Sequence, residues 1–199
     1  MDTLAGTGAA LMSIPGAFFL FLLAIARVAW IIHYGPTPLT LLLFAQAGLA
    51  GMLMIYRRKA AATAPVWVQA VAWISALLPL LFYTPASQPI WTGLLPIPGL
   101  ALNLWALVSL GSAFGVSPAR RGLVTTGPYR WLRHPMYTGE LLSLLGGLCA
   151  SPIWWNLGIL LIFVASLVWR IRREENFLNY SGYFVYARYV RWRLIPGVW

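Results

Sequence analysis

Six apolar runs, separated by short polar or basic segments, constrain this chain more than any other feature. They cover residues 11–34, 38–56, 65–83, 93–114, 136–150 and 153–169. A hydrocarbon layer is crossed by about 20 predominantly apolar residues in a helix, because no water is present there to satisfy an open backbone. The runs therefore predict an all-α, polytopic membrane bundle with about five to six transmembrane helices. The last two runs are short for independent spans and are split by Ser151-Pro152, so they are expected to form a tilted hairpin. With 60% hydrophobic residues and a mean hydropathy of +0.76, the chain is more apolar than a soluble domain, which is about half apolar.

The net charge of +10 follows the same logic. Arg57, Arg58 and Lys59 fall between the second and third runs. Arg120, Arg121, Arg130 and Arg133 fall between the fourth and fifth, and Arg170, Arg172, Arg173, Arg188, Arg191 and Arg193 follow the sixth. Six crossings put all three groups on one side, which the positive-inside rule makes the cytoplasm. The basic balance is thus topological, and no nucleic-acid partner is expected. The N-terminal Met1-Asp2-Thr3-Leu4 lacks the basic start of a signal peptide, so the first run is expected to remain as a membrane helix. The lone Cys149 excludes an intramolecular disulfide and is expected to be a small buried side chain. One domain is expected over 1–199, with membrane helices in 1–114 and the chemistry in 115–199.

Only 9% of residues are charged, and the acids are four: Asp2, Glu140, Glu174 and Glu175. In an apolar chain, concentrated polar chemistry marks a site. The first concentration runs through residues 123–137 and ends in Arg133-His134-Pro135-Met136-Tyr137. Pro135 suits the first position of a helix and places His134 near its N-cap, where free N–H groups favour an anion. Two readings stay open here: a pocket for a carboxylate-bearing small molecule, or an interfacial belt of Tyr, Trp and Arg. The second concentration is Arg170-Ile171-Arg172-Arg173-Glu174-Glu175. Arg170 and Glu174 share a helical face at i, i+4. Acids among so many arginines serve no topological purpose, and a carboxylate at the rim suits a cationic group or ribose hydroxyls. Arg27, about 16 residues or roughly 24 Å from the cytoplasmic start, lies too deep to pair with Glu140 at about 6 Å, and is expected to snorkel or meet a headgroup. Tyr180, Tyr183, Tyr186 and Tyr189 recur among arginines as an amphipathic interfacial helix, with membrane anchoring as the expected role and a lid over the site as the alternative.

These motifs resemble the isoprenylcysteine carboxyl methyltransferase family and its relatives among the membrane phospholipid methyltransferases. The resemblance covers residues 120–199. It rests on Leu123-Val124-Thr125-Thr126-Gly127-Pro128-Tyr129, on Arg133 through Gly139, on the proline-broken hairpin, on Arg170-x-x-x-Glu174-Glu175, and on a closing segment through Pro196-Gly197 that is typical of prokaryotic members. The first four runs match only in being apolar. The resemblance implies a prokaryotic inner-membrane enzyme that uses S-adenosylmethionine without a Rossmann domain, with its cofactor site on the cytoplasmic face. Gly6-Thr7-Gly8 is too weak to count as a dinucleotide fingerprint.

Carried over by position, the implied cofactor contacts fall on Arg121, Gly122, Leu123, Val124, Tyr129, His134, Pro135, Met136, Tyr137 and Glu174. Arg121-Gly122 departs from the family pattern, so any contact there is expected through backbone. The implied substrate arginine falls on Arg170, and no metal is implied. The implied reaction is in-line displacement at the sulfonium methyl, in which the protein's task is mainly placement. A desolvated carboxylate acceptor needs no base; an amine or thiol does, and Glu140 is the candidate. The acceptor is therefore expected to be a lipophilic molecule bearing an isoprenylcysteine-type carboxylate, a phospholipid amine, or a small thiol or amine. A transporter or scaffold would instead spread polar residues through its spans, whereas these hold chiefly Arg27, Gln46, Asn103 and Glu140.

Overall fold

A computed structural model describes residues 13–84, 89–178 and 181–199. Asp2, Gly6-Thr7-Gly8, Leu11 and Tyr180 lie outside them. Seven α-helices are described: α1 (Ser13–Tyr34), α2 (Pro38–Ile55), α3 (Val66–Leu77), α4 (Ile97–Leu110), α5 (Pro135–Ala150), α6 (Trp154–Phe177) and α7 (Ser181–Tyr189). Among the described residues, bridges rather than strands make up the extended pairing, at Thr63 with Ala119 and Leu132 with Trp192.

The protein is thus an all-helical polytopic membrane protein. Among the described residues, four segments are long and apolar enough to cross a bilayer: Ile14–Tyr34, Pro38–Ile55, Trp91–Ala113 and Trp154–Phe177. Val66–Leu81 and Pro135–Ala150 are shorter. The expectation of a short final pair is therefore half corrected. The break at Ser151-Pro152 exists, but α6 runs unbroken for 24 residues, past the arginines to Phe177. Side chains such as Phe18, Ile25, Ile32, Ile74, Val108 and Leu161 project outward, as suits a lipid-facing surface. Cys149 is exposed there too. The expectation of a buried cysteine fails because α5 turns that face away from its neighbours.

The helices begin where the sequence supplies a device. Thr37 caps α2 reciprocally: its hydroxyl accepts from the Thr40 N–H while the Thr40 hydroxyl accepts from the Thr37 N–H. Pro135 starts α5 with His134 at the N-cap, as expected. Contact between α4 and α5 depends on small residues, which let backbones approach in a membrane. A Cβ at Gly139 would stand 2.6 Å from the Asn103 N and the Gly99 carbonyl oxygen. One buried amide ties distant segments together. Asn156 donates to the Tyr83 and Ser151 carbonyls and accepts from the Tyr83 N–H at 2.9 Å, tying α6 to the chain after α3.

Beside a small cluster at Tyr183, Tyr186 and Val190, two larger apolar clusters are present among the described residues. Ala17, Leu53, Met54 and Leu107 gather with Phe114 and Val116; Tyr137, Leu144, Phe163, Leu167 and Ile171 gather with Leu194. The basic segments collect at one end of the bundle. The Arg58 N–H reaches the Ser112 carbonyl, the Ala61 N–H reaches Arg120, and the Arg120 Nε donates to the Phe177 carbonyl at 3.0 Å. Arg173 stacks over Trp67 and Trp169, seating the end of α6 against the start of α3.

Candidate functional site

At that end, the loop from Leu110 to Val124, the 3-10 turn Gly127–Arg130, the start of α5, the end of α6 and the inner face of α7 enclose a cleft. The turn depends on Gly127, whose φ of +60° places it in the left-handed region, and whose missing side chain leaves room for Ser109. The C-terminal segment then fixes the motif. Arg133 and His134 donate backbone N–H groups to the Trp192 and Arg193 carbonyls at 2.8 and 3.0 Å, and the Thr138 hydroxyl donates to Leu194.

Most of the expected cofactor residues meet in this cleft. Arg121, Gly122, Leu123, Val124, Tyr129, His134, Met136, Tyr137 and Glu174 line it. Pro135 is buried at the head of α5 and does not. The link between the two polar motifs is direct: the Tyr137 hydroxyl donates to Glu174 Oε2 at 2.8 Å. Tyr129 is buried, and that burial, reinforced by the nearby Glu174 carboxylate, raises its phenol pKa well above the ordinary value. It is therefore a neutral hydrogen-bonding wall rather than a base.

Glu175 has a different occupation. It receives Arg133 Nη1 at 3.2 Å, His134 Nε2 at 3.3 Å and Arg193 Nε at 2.8 Å. Arg133 extends the clamp, donating from Nε to the Val190 carbonyl and from Nη2 to Ala187. All ion pairs among the described residues end on Glu175, so Arg27 and Glu140 do not pair, as the depth argument expected.

Arg170 and Glu140 sit behind the cleft rather than along it. Arg170 is 3% exposed, lies 4.7 Å from the centre of the Tyr137 ring, and donates from Nη2 to the Val116 carbonyl at 3.2 Å. Its Nη1 is buried without a partner, and so is Oε2 of Glu140, its electrostatic neighbour. Tyr137 thus stands as a partition, its hydroxyl serving Glu174 and one ring face covering Arg170.

α7 does more than lie in the headgroup layer. Phe184, Val185 and Tyr189 face outward, consistent with an interfacial helix, but Tyr183 and Tyr186 are buried and line the cleft. The Tyr186 hydroxyl donates to the Tyr129 carbonyl at 2.7 Å. Of the two roles read from the tyrosine repeat, the cover over the site is therefore realised on the inner face. Sequence reasoning also missed the floor, formed by Leu110, Ala113, Gly115, Ser117 and Ala119. The available signal was the density of small residues from Ala113 to Ala119, which permits close backbone approach.

An all-helical membrane bundle carrying a polar cleft at its basic end is the class of protein that fold and site define. Residues 89–181 match the model of the phospholipid methyltransferase family, and this match supports a membrane methyltransferase. No curated protein matches the chain.

Proposed function

We propose that this protein is an integral membrane methyltransferase that uses S-adenosylmethionine and acts on a lipid-like acceptor from the cytoplasmic face of a prokaryotic inner membrane. The observation that carries the reading is the convergence of two motifs, 37 residues apart, on one cleft through the Tyr137–Glu174 hydrogen bond. The donor set suits the cofactor. Glu174 spends only Oε2 on a protein partner among the described residues and is available to hydroxyls or a cationic group. Leu123, Val124 and Met136 supply apolar wall. When bound, S-adenosylmethionine supplies an electrophilic methyl group on sulfur. The cavity measures about 100 Å³, smaller than an engineered cavity of about 150 Å³ that takes one benzene.

On the other side of Tyr137, buried Arg170 and half-buried Glu140 each keep one buried polar atom unpaired among the described residues. An ionisable pair left unsatisfied among apolar helices is costly and marks a functional position. Arg170 is suited to neutralise and aim an acceptor carboxylate of the isoprenylcysteine type, which needs no base. A second reading, a phospholipid amine, is favoured by the family match and by the free Oε2 of Glu140, which can take the proton that the amine must lose. Calorimetry with S-adenosylhomocysteine tests cofactor use, since a scaffold or transporter gives no heat. A panel of carboxylate, amine and thiol lipids with a radiolabelled methyl donor identifies the acceptor. Absence of both binding and transfer overturns the reading.

A further inference from the structure

Two opposite charges line the cleft without meeting. Arg121 is 7% exposed, its Nε has no hydrogen-bond partner, and no ion pair among the described residues includes it. Burial, and after it the nearby cation Arg57, lowers its pKa to about 10. The fold nonetheless makes room for it. A Cβ at Gly115 would stand only 2.5 Å from Arg121 Nη1, so the guanidinium occupies a slot that exists because residue 115 lacks a side chain. Glu174 lines the same cleft and is likewise in no ion pair among the described residues. A buried guanidinium kept from the acid available to it is a cost without structural return, unless a ligand supplies the anion.

We propose that the side chain of Arg121 is the carboxylate anchor of the cleft, taking the amino-acid end of the cofactor while Glu174 serves its hydroxyl or cationic groups. The inference rests on the methyltransferase reading and deepens it. It assigns to the Arg121 side chain a role that the sequence reading gave only to backbone. The planar fork of arginine matches a carboxylate in two-point fashion, which lysine cannot reproduce. An anionic headgroup on the acceptor presents the same chemistry, and the experiment separates the two sources.

The test is calorimetry in detergent with S-adenosylhomocysteine and with its decarboxylated analogue, which keeps the ammonium and lacks the carboxylate. Wild-type protein should bind the analogue about 10- to 100-fold more weakly, the range of a charge-assisted hydrogen bond. Arg121→Gln should weaken S-adenosylhomocysteine by a similar factor and leave the analogue unchanged, so that the variant no longer distinguishes the two ligands. Should Arg121→Gln not fold, Arg121→Lys must show the same selective loss in smaller measure. Gly115→Ala, which crowds the slot and leaves Arg121 in the sequence, should do likewise. Equal loss of both ligands, or loss of neither, overturns the anchor. An unchanged cofactor affinity with a raised KM for an anionic acceptor also overturns it, by moving the anion to the acceptor. If wild-type protein binds neither ligand, the methyltransferase reading itself fails, a result distinct from the others.

Discussion

Glu174 and Glu175 are adjacent on α6 yet take entirely different partners: Glu174 accepts from Tyr137 at the cleft, and Glu175 from Arg133, His134 and Arg193. One carboxylate is left available to a ligand and the other is consumed by the fold. Glu174→Gln should therefore weaken S-adenosylhomocysteine by about 1.5–3 kcal/mol. Glu175→Gln should leave that affinity close to wild type and lower stability by about 3 kcal/mol, because its removal strands mostly buried cations. Calorimetry and thermal unfolding in detergent read the two effects. Equal ligand losses for both acids would reverse the assignment.

Tyr137→Phe tests the link between the motifs. The variant keeps the ring over Arg170 and removes the donor to Glu174. Affinity for S-adenosylhomocysteine should fall by about 1 kcal/mol, with the fold intact by circular dichroism. An unchanged affinity would show that the hydrogen bond does not position Glu174 for a ligand.

Arg170→Lys separates acceptor from cofactor. The guanidinium lies on the far side of Tyr137 from the cleft, so S-adenosylhomocysteine affinity should hold while methyl transfer falls severely. Loss of cofactor binding would assign Arg170 to the cofactor side; intact turnover would reduce it to a packing residue.

Gly139→Ala probes the α4–α5 contact. Its new methyl would press on backbone atoms of Asn103 and Gly99, which cannot rotate away. A loss of about 1–3 kcal/mol is expected from overpacking, measured as a lower detergent unfolding temperature. A neutral result would mean that the two helices have slack at this level.

Topology is open to direct labelling. In a Cys149→Ser background, cysteine placed at exposed Thr125 should react with an impermeant maleimide in inverted vesicles and resist it in intact cells. The opposite pattern would turn the cleft outward.

The spans, their breaks and most of the cleft lining were legible because each depends on local chemistry. Apolar runs give helices, Pro135 and Thr37 give starts, and ordered motifs give the residues that gather. What escaped depends on distance in sequence. Nothing near Glu175 announces that Arg133 and Arg193 will converge on it from either side. Likewise, a tyrosine every three residues cannot say which face turns inward; that depends on the carbonyls of Tyr129 and Leu132, which Tyr186 reaches. Arg121 was legible as a position on the cleft, but the slot for its side chain was not, because that slot is made by the absence of a side chain at Gly115.

The pairing of Leu132 with Trp192 has a bearing on timing. The two residues leave the ribosome some 60 residues apart, which at about 5–20 residues per second is roughly 3–12 s. Through that interval Arg133 and His134 wait first for Glu175 and then for the 190–199 segment. The cleft is therefore completed only once the 190–199 segment has emerged. Until that segment docks, the backbone N–H groups of Arg133 and His134 lack the carbonyls of Trp192 and Arg193 that hold the head of α5 against the cleft.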